Sequence, residues 1–338
     1  MLSIPHFGNR MTRISLILAI HGFAMFIACL PVTEYARAEQ PLYMNGDQSG
    51  QLEGKQIQGQ LIHEGLKRTY LLYVPASLDQ SKPAPLVMVF HGGFGSGSRI
   101  ARRIGMNRVA DREKFIVVYP DGVDRHWNDG RSTTASGADD VSFILTLIKH
   151  LSAEYRIDQK RLYATGISNG GYLTQRLACE LTDKFAAFAP VSSTMPVELH
   201  ASCRPTRPVS ILMINGKEDP LVPWNGGELT SGRRMGGKGG VVISVPETFE
   251  FWRAHDGCGG GQETSLPDTD PDDGTRVNES RYADCKLGSE VILLTIEGGG
   301  HTWPGSPEKP RMKKRTGRTS YDINASQVMW DFFKQHQL

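Results

Sequence analysis

From residue 66 onward, short β-branched or apolar runs alternate with stretches whose apolar residues recur at helical spacing. That alternation predicts an α/β fold built from strand–helix–strand crossovers around a mostly parallel central sheet flanked by helices. Residues 69–74, 86–91, 115–119, 162–165, 188–191, 209–215 and 291–296 read as strands, most of them continuously apolar, as strands covered on both faces are. Val141, Ile144, Leu147, Ile148, Leu151 and Tyr155 mark an amphipathic helix. Asp139 and Asp140 at its start read as caps, not as a catalytic carboxylate pair. A further helix is expected from about Ser320 to the C-terminus, with Ile323, Val328, Trp330 and Phe333 on its inner side. The polar residues 259–284 read as a solvated linker. Asp268, Asp270, Asp272 and Glu279 loosely suit a calcium loop, but Asp273 stands where the turn glycine belongs, with Gly274 one place late. The basic residues 311–318 read as a surface loop.

The first residues follow a different pattern. Arg10 and Arg13 precede an apolar run over 14–30 that ends near Ala36-Arg37-Ala38, the order of a secretory signal peptide. The expected division is a signal peptide over 1–38 and one catalytic domain over 39–338. The alternative for this segment is lipid attachment at Cys29. The run falls short of the roughly 20 residues of a spanning helix, so no stable membrane span is expected after signal removal, and the product is expected to be secreted, extracellular or periplasmic.

Residues 1–38 hold three of the 38 basic residues and one of the 36 acidic ones, leaving 35 of each sign. A neutral chain lacks the basic footprint of a nucleic-acid binder. Export also favours pairing of the remaining cysteines, Cys179, Cys203, Cys258 and Cys285. Three connectivities are possible. Pairing chain neighbours, Cys179 with Cys203 and Cys258 with Cys285, closes two short loops and leaves no odd thiol. No Cys-x-x-Cys or nearby histidine cluster accompanies them, so no metal is expected.

The chemistry begins at Gly166-Ile167-Ser168-Asn169-Gly170, between the run 162–165 and a helical pattern at Tyr172, Gln175, Arg176 and Cys179. Strand, tight turn and helix form the context of a nucleophile elbow. A serine hydroxyl needs a base, and the base an orienting acid. Asp219 follows the run 209–215, with Glu218 beside it as the alternative acid, and His301 follows the run 291–296 in a glycine-rich loop expected to be flexible. Ser168, Asp219, His301 is the hydrolase chain order. The oxyanion donors are expected from the loop His91-Gly92-Gly93-Phe94 and from the residue after the serine: Gly93 or Phe94, with Asn169. His91 is expected to shape that loop. Trp127, Trp224 and Trp303 are candidates for an aromatic substrate-binding wall.

From about Leu66 to the end, the chain resembles the polyhydroxybutyrate depolymerase-like and feruloyl esterase-like esterases of the α/β-hydrolase fold. The resemblance rests on His91-Gly92-Gly93, Tyr119-Pro120-Asp121-Gly122, Trp127-Asn128-Asp129-Gly130-Arg131, Asp139-Asp140-Val141, the serine elbow, Leu177-Ala178-Cys179-Glu180 and Gly300-His301-Thr302-Trp303-Pro304-Gly305. It implies hydrolysis of esters in polymers or phenolic esters, with no metal and no organic cofactor. One departure is Asn215-Gly216, where similar sequences carry His-Gly. No appended polymer-binding module is expected, which favours soluble oligomeric or phenolic esters. The chemistry leaves open the oligomeric state. Two other readings are a non-catalytic binding protein on a hydrolase scaffold and a serine peptidase.

Overall fold

All seven predicted apolar runs form strands in the computed structural model, which describes residues 52–133, 137–229, 239–308 and 310–338. The signal-peptide and Cys29 readings lie outside the described residues, all of which belong to one compact unit, Pro41–Leu338. In chain order the strands are β1 (Lys55–His63), β2 (Leu66–Val74), β3 (Ala84–Phe90), β4 (Ile116–Pro120), β5 (Ile157–Ile167), β6 (Ala187–Val191) and β7 (Ile211–Gly216). There follow a short ribbon, β8 (Gly227–Glu228) with β9 (Val241–Val242), then β10 (Gln262–Ser265), β11 (Arg276–Tyr282) and β12 (Val291–Glu297). The helices are α1 (Gly97–Ala101), α2 (Met106–Glu113), α3 (Asp140–Glu154), α4 (Asn169–Glu180), α5 (Val197–Ser202), α6 (Val245–Asp256), α7 (Pro310–Thr316) and α8 (Ala325–Phe333).

Ten strands form one sheet in the order β1-β2-β4-β3-β5-β6-β7-β12-β11-β10. The central strands from β4 to β12 run parallel, and antiparallel pairs close both edges. The parallel strands are apolar on both faces because helices cover both. Leu86, Met88 and Phe90 of β3 join the core beneath α3, α4 and α6, while Val87 and Val89 face α2 and α8. The chain steps from β3 to β4 on one side and returns to β5 on the other. This order reversal opens a crevice at the carboxyl ends of β3 and β5, where α/β folds place their ligands.

Four expectations are corrected. Residues 259–284 are not a solvated linker but carry β10 and β11, whose side chains are mostly polar because the hairpin lies at the sheet edge. Residues 311–318 are largely helical, as α7, which starts at a proline and continues through good helix formers. The C-terminal helix starts at Ala325, capped by Asn324. Before it, Ser320 and Asp322 accept backbone bonds from Gly305 and from Thr269 and Asp270. Of the two aspartates before α3, only Asp139 caps it, accepting from the Ser142 N–H at 3.0 Å. Asp140 turns inward to a buried ion pair with Arg68 at 2.6 Å. Both cysteine pairs form as expected: Cys179–Cys203 joins α4 to the end of α5, and Cys258–Cys285 ties the end of α6 to the segment after β11. No described helix is long and apolar enough to cross a membrane.

Candidate active site

Ser168 sits between β5 and α4 with φ 58° and ψ −121°, a backbone conformation that a non-glycine residue adopts only when its surroundings impose it. Its N–H donates to Val191 O at 3.0 Å, which fixes the turn against β6. The flanking glycines are required sterically. A Cβ on Gly170 would lie 2.3 Å from Phe90 O and 2.6 Å from His91 O, and one on Gly166 would lie 2.5 Å from Gly170 O. Backbone cannot yield at such distances, so only glycine lets α4 approach the ends of β5 and β3 so closely.

Asp219 lies beyond the end of β7. One oxygen, Oδ1, accepts the N–H groups of Leu221 and Val222 at 2.7 and 2.9 Å, and Oδ2 lies 2.7 Å from His301 Nδ1. The same carboxylate thus holds its own turn and orients the imidazole, leaving Nε2 of His301 open. Glu218 beside it is exposed, and among the described residues it is Asp219, not Glu218, that pairs with the histidine. The loop carrying His301 is pinned, contrary to the expected flexibility. Gly300 and His301 donate their N–H groups to Arg318 O and Thr316 O at 2.9 and 2.5 Å, and a Cβ on Gly300 would lie 2.1 Å from Thr316 O. Ser168 and His301 line the same cleft without a hydrogen bond between them, a contact that in hydrolases commonly tightens when substrate binds.

The loop after β3 completes this floor. His91 is buried; its Nδ1–H donates to Gly92 O at 2.8 Å and its Nε2 accepts the Gly122 N–H at 3.1 Å. Burial lowers its pKa from the ordinary 6.5, so the ring is held neutral. Phe94 is ruled out as a donor because its N–H already donates to Arg125 O at 2.9 Å. Its ring is 44% exposed and meets His126 edge-on at 4.2 Å, forming a lip of the cleft. The N–H of Gly93 has no acceptor among the described residues, and a Cβ on Gly93 would stand 3.9 Å from that of Asn169.

Sequence reasoning missed the brace behind the elbow. The Asn169 side chain accepts the Trp127 N–H at 2.8 Å and donates to Trp127 O at 3.0 Å and to Asp129 Oδ2 at 2.6 Å. Asp129 in turn holds Arg131 at 2.6 Å. The signal was present in the Trp127–Arg131 motif, but its partner across 40 residues is set only by folding. The same brace corrects the aromatic wall. Trp127 is fully buried with Nε1 on His91 O at 2.9 Å, and Trp224 packs against the core beneath α6, so neither lines the cleft. Trp303 borders it but is 3% exposed and donates to Ser326 Oγ at 3.2 Å. Tryptophan supplies most of its stabilisation when its ring is buried and its N–H satisfied, and Trp127 and Trp303 obey that preference.

A serine elbow at the order reversal of a mostly parallel, two-sided sheet places the molecule among the α/β-hydrolases. The family model described as esterase PHB depolymerase matches residues 68–221. The chain is 32% identical over 283 residues to the protein NocK of Nocardia uniformis subsp. tsuyamanensis, covering 81% of each. It is also 32% identical over 240 residues to feruloyl esterase B of Piromyces equi, covering 69% of this chain but only 42% of that protein's length. The solved acetyl xylan esterase from Aspergillus awamori shares the fold at a TM-score of 0.50 and 15% identity, covering 76% of this chain and 97% of that one. The chain belongs to the polyhydroxybutyrate depolymerase-like, feruloyl esterase-like family and is a carboxylic ester hydrolase.

Proposed function

We propose that the protein is an exported serine esterase that hydrolyses phenolic or hydroxyacid esters through Ser168, His301 and Asp219. The observation that carries this reading is the 2.7 Å contact from Asp219 to His301 Nδ1 in the cleft that also receives the strained Ser168. In this mechanism Nε2 of His301 takes the Ser168 proton as Oγ attacks the ester carbonyl. The tetrahedral oxyanion is met by the N–H groups of Gly93 and Asn169. Collapse expels the alcohol, protonated by His301, and leaves an acyl-serine. Water, deprotonated by His301, then releases the acid. Asp219 holds the imidazole in the productive tautomer. No step calls for a metal or an organic cofactor. Export is supported by the N-terminal sequence and by the two disulfides.

Ser168→Ala tests the assignment. Hydrolysis of p-nitrophenyl esters should fall by about 10⁴-fold or more, with the thermal midpoint little changed. A fluorophosphonate should label the wild type and not the variant. Near wild-type turnover by Ser168→Ala, or equal labelling of both, would remove Ser168 from the mechanism.

A further inference from the structure

The cleft, of about 1060 Å³, is lined by five arginines, Arg99, Arg102, Arg103, Arg131 and Arg315, against two carboxylates, Asp124 and Glu308. The whole chain carries 38 basic and 36 acidic residues, so this excess is local. Arg131 is matched by Asp129 at 2.6 Å, and Glu308 is met by Lys313 at 3.4 Å. Among the described residues Arg99 reaches only the Phe94 carbonyl, at 3.5 Å. Arg102, Arg103 and Arg315 are exposed and form no ion pair among the described residues. Among the described residues, four arginines therefore face the cleft with Asp124 as the one opposing charge that has no cation of its own.

Their placement follows from the same elements that build the site. Arg99, Arg102 and Arg103 lie on α1 and the turn after it, spaced three and four residues apart and so on one side, directly beyond the Gly93–Phe94 loop. Arg315 comes from the facing wall. It lies one turn from Met312 on α7, whose last carbonyl, Thr316 O, accepts the His301 N–H. Guanidinium groups thus stand on the oxyanion-loop side and on the histidine side of the reacting position. In a concave site with low-dielectric walls, like charges reinforce one another and concentrate anions. The planar guanidinium fork matches a carboxylate with two parallel hydrogen bonds.

We infer that the cleft selects esters that carry a carboxylate, recognised by Arg102, Arg103 and Arg315 at its rim. The inference rests on the esterase reading above and narrows it. Two sources supply that chemistry, the free acid end of a short hydroxyacid oligomer and a uronic acid of an esterified polysaccharide. A neutral phenolic ester supplies neither.

The test compares p-nitrophenyl hydrogen adipate with p-nitrophenyl methyl adipate, which share the aryl ester and differ at the distal end, a carboxylate in one and an uncharged methyl ester in the other, with initial release of p-nitrophenolate reporting only the shared bond. The wild-type kcat/KM should favour the anionic ester on the order of tenfold at low salt. That preference should shrink as ionic strength shortens the screening length. In Arg102→Gln/Arg103→Gln/Arg315→Gln the ratio should approach one. Because both esters meet the same enzyme molecules, any loss of folded protein cancels from the ratio. A wild-type ratio at or below one, or a ratio that the triple variant leaves unchanged, overturns the inference. Failure to hydrolyse either ester overturns the esterase reading and the inference with it, whereas equal hydrolysis of both overturns the charge selection alone. A hydroxybutyrate trimer against its terminal amide, and a feruloylated uronic-acid oligosaccharide against a neutral one, then identify which source reproduces the preference.

Discussion

His91 illustrates how one side chain can shape a reaction without touching it. Its two nitrogens span Gly92 and Gly122, so it clamps the loop that presents Gly93. Because burial lowers its folded pKa below the ordinary 6.5, the unfolded chain binds the proton more readily than the folded one. The stability held by neutral His91 is complete above about pH 6.5 and is lost as pH falls below that value toward the folded pKa. Thermal midpoints measured from neutral to mildly acidic pH should therefore fall in the wild type. His91→Asn should be less stable at neutral pH and show a flatter profile. Parallel wild-type and variant profiles would exclude this role.

At the scale of elements, the two aspartates before α3 separate a local device from a tertiary one. Asp139 satisfies an amide of the first helical turn, and Asp139→Ala should cost about 1 kcal/mol in chemical denaturation. Asp140 is fully buried and paired with Arg68, which also lies 3.7 Å over the Phe143 ring. Burial raises the Asp140 pKa even against the pull of the Asn128 N–H and Arg68. Arg68→Leu strands that carboxyl in the core between β2 and α3, with an expected cost of about 3–5 kcal/mol. Equal costs for the two substitutions would mean that the ion pair is no more than a surface contact. The sequence Asp139-Asp140 suits a cap at either position, and only the packing of β2 against α3 assigns the second aspartate inward.

For the molecule as a whole, the two disulfides fasten different layers. Cys179 and Cys203 are buried in the core beneath α4 and α5, while Cys258 and Cys285 are half-exposed where α6 meets the edge hairpin. Under mild reduction of the native protein, alkylation should mark Cys258 and Cys285 first, because their exposure needs only local opening of the edge. Initial alkylation at Cys179 and Cys203 would contradict that order. Cys258→Ala/Cys285→Ala should lower stability by about 2–4 kcal/mol, read from denaturant unfolding.

Much of this architecture is legible in the order of residues. The continuously apolar runs become the parallel strands because both sheet faces are covered, and the Gly166–Gly170 motif implies its own turn because it stands between a strand run and a helical pattern, although the backbone that makes Gly170 obligatory is that of Phe90 and His91 at the end of β3. The order of serine, aspartate and histidine is likewise a property of the chain. What the chain order leaves open are the outcomes of contacts far apart in sequence. The edge strands β10 and β11 lack an apolar signature because pairing, not burial of both faces, holds them. Phe94 loses its N–H to a carbonyl 31 residues away, Trp127 is drawn inward by Asn169, and three arginines from α1 and its turn meet Arg315 of α7 across one cleft. Local sterics and periodicity act over a few residues and can be read directly. Which free amide, ring or charge finally faces the substrate is decided only when distant segments compete for the same space.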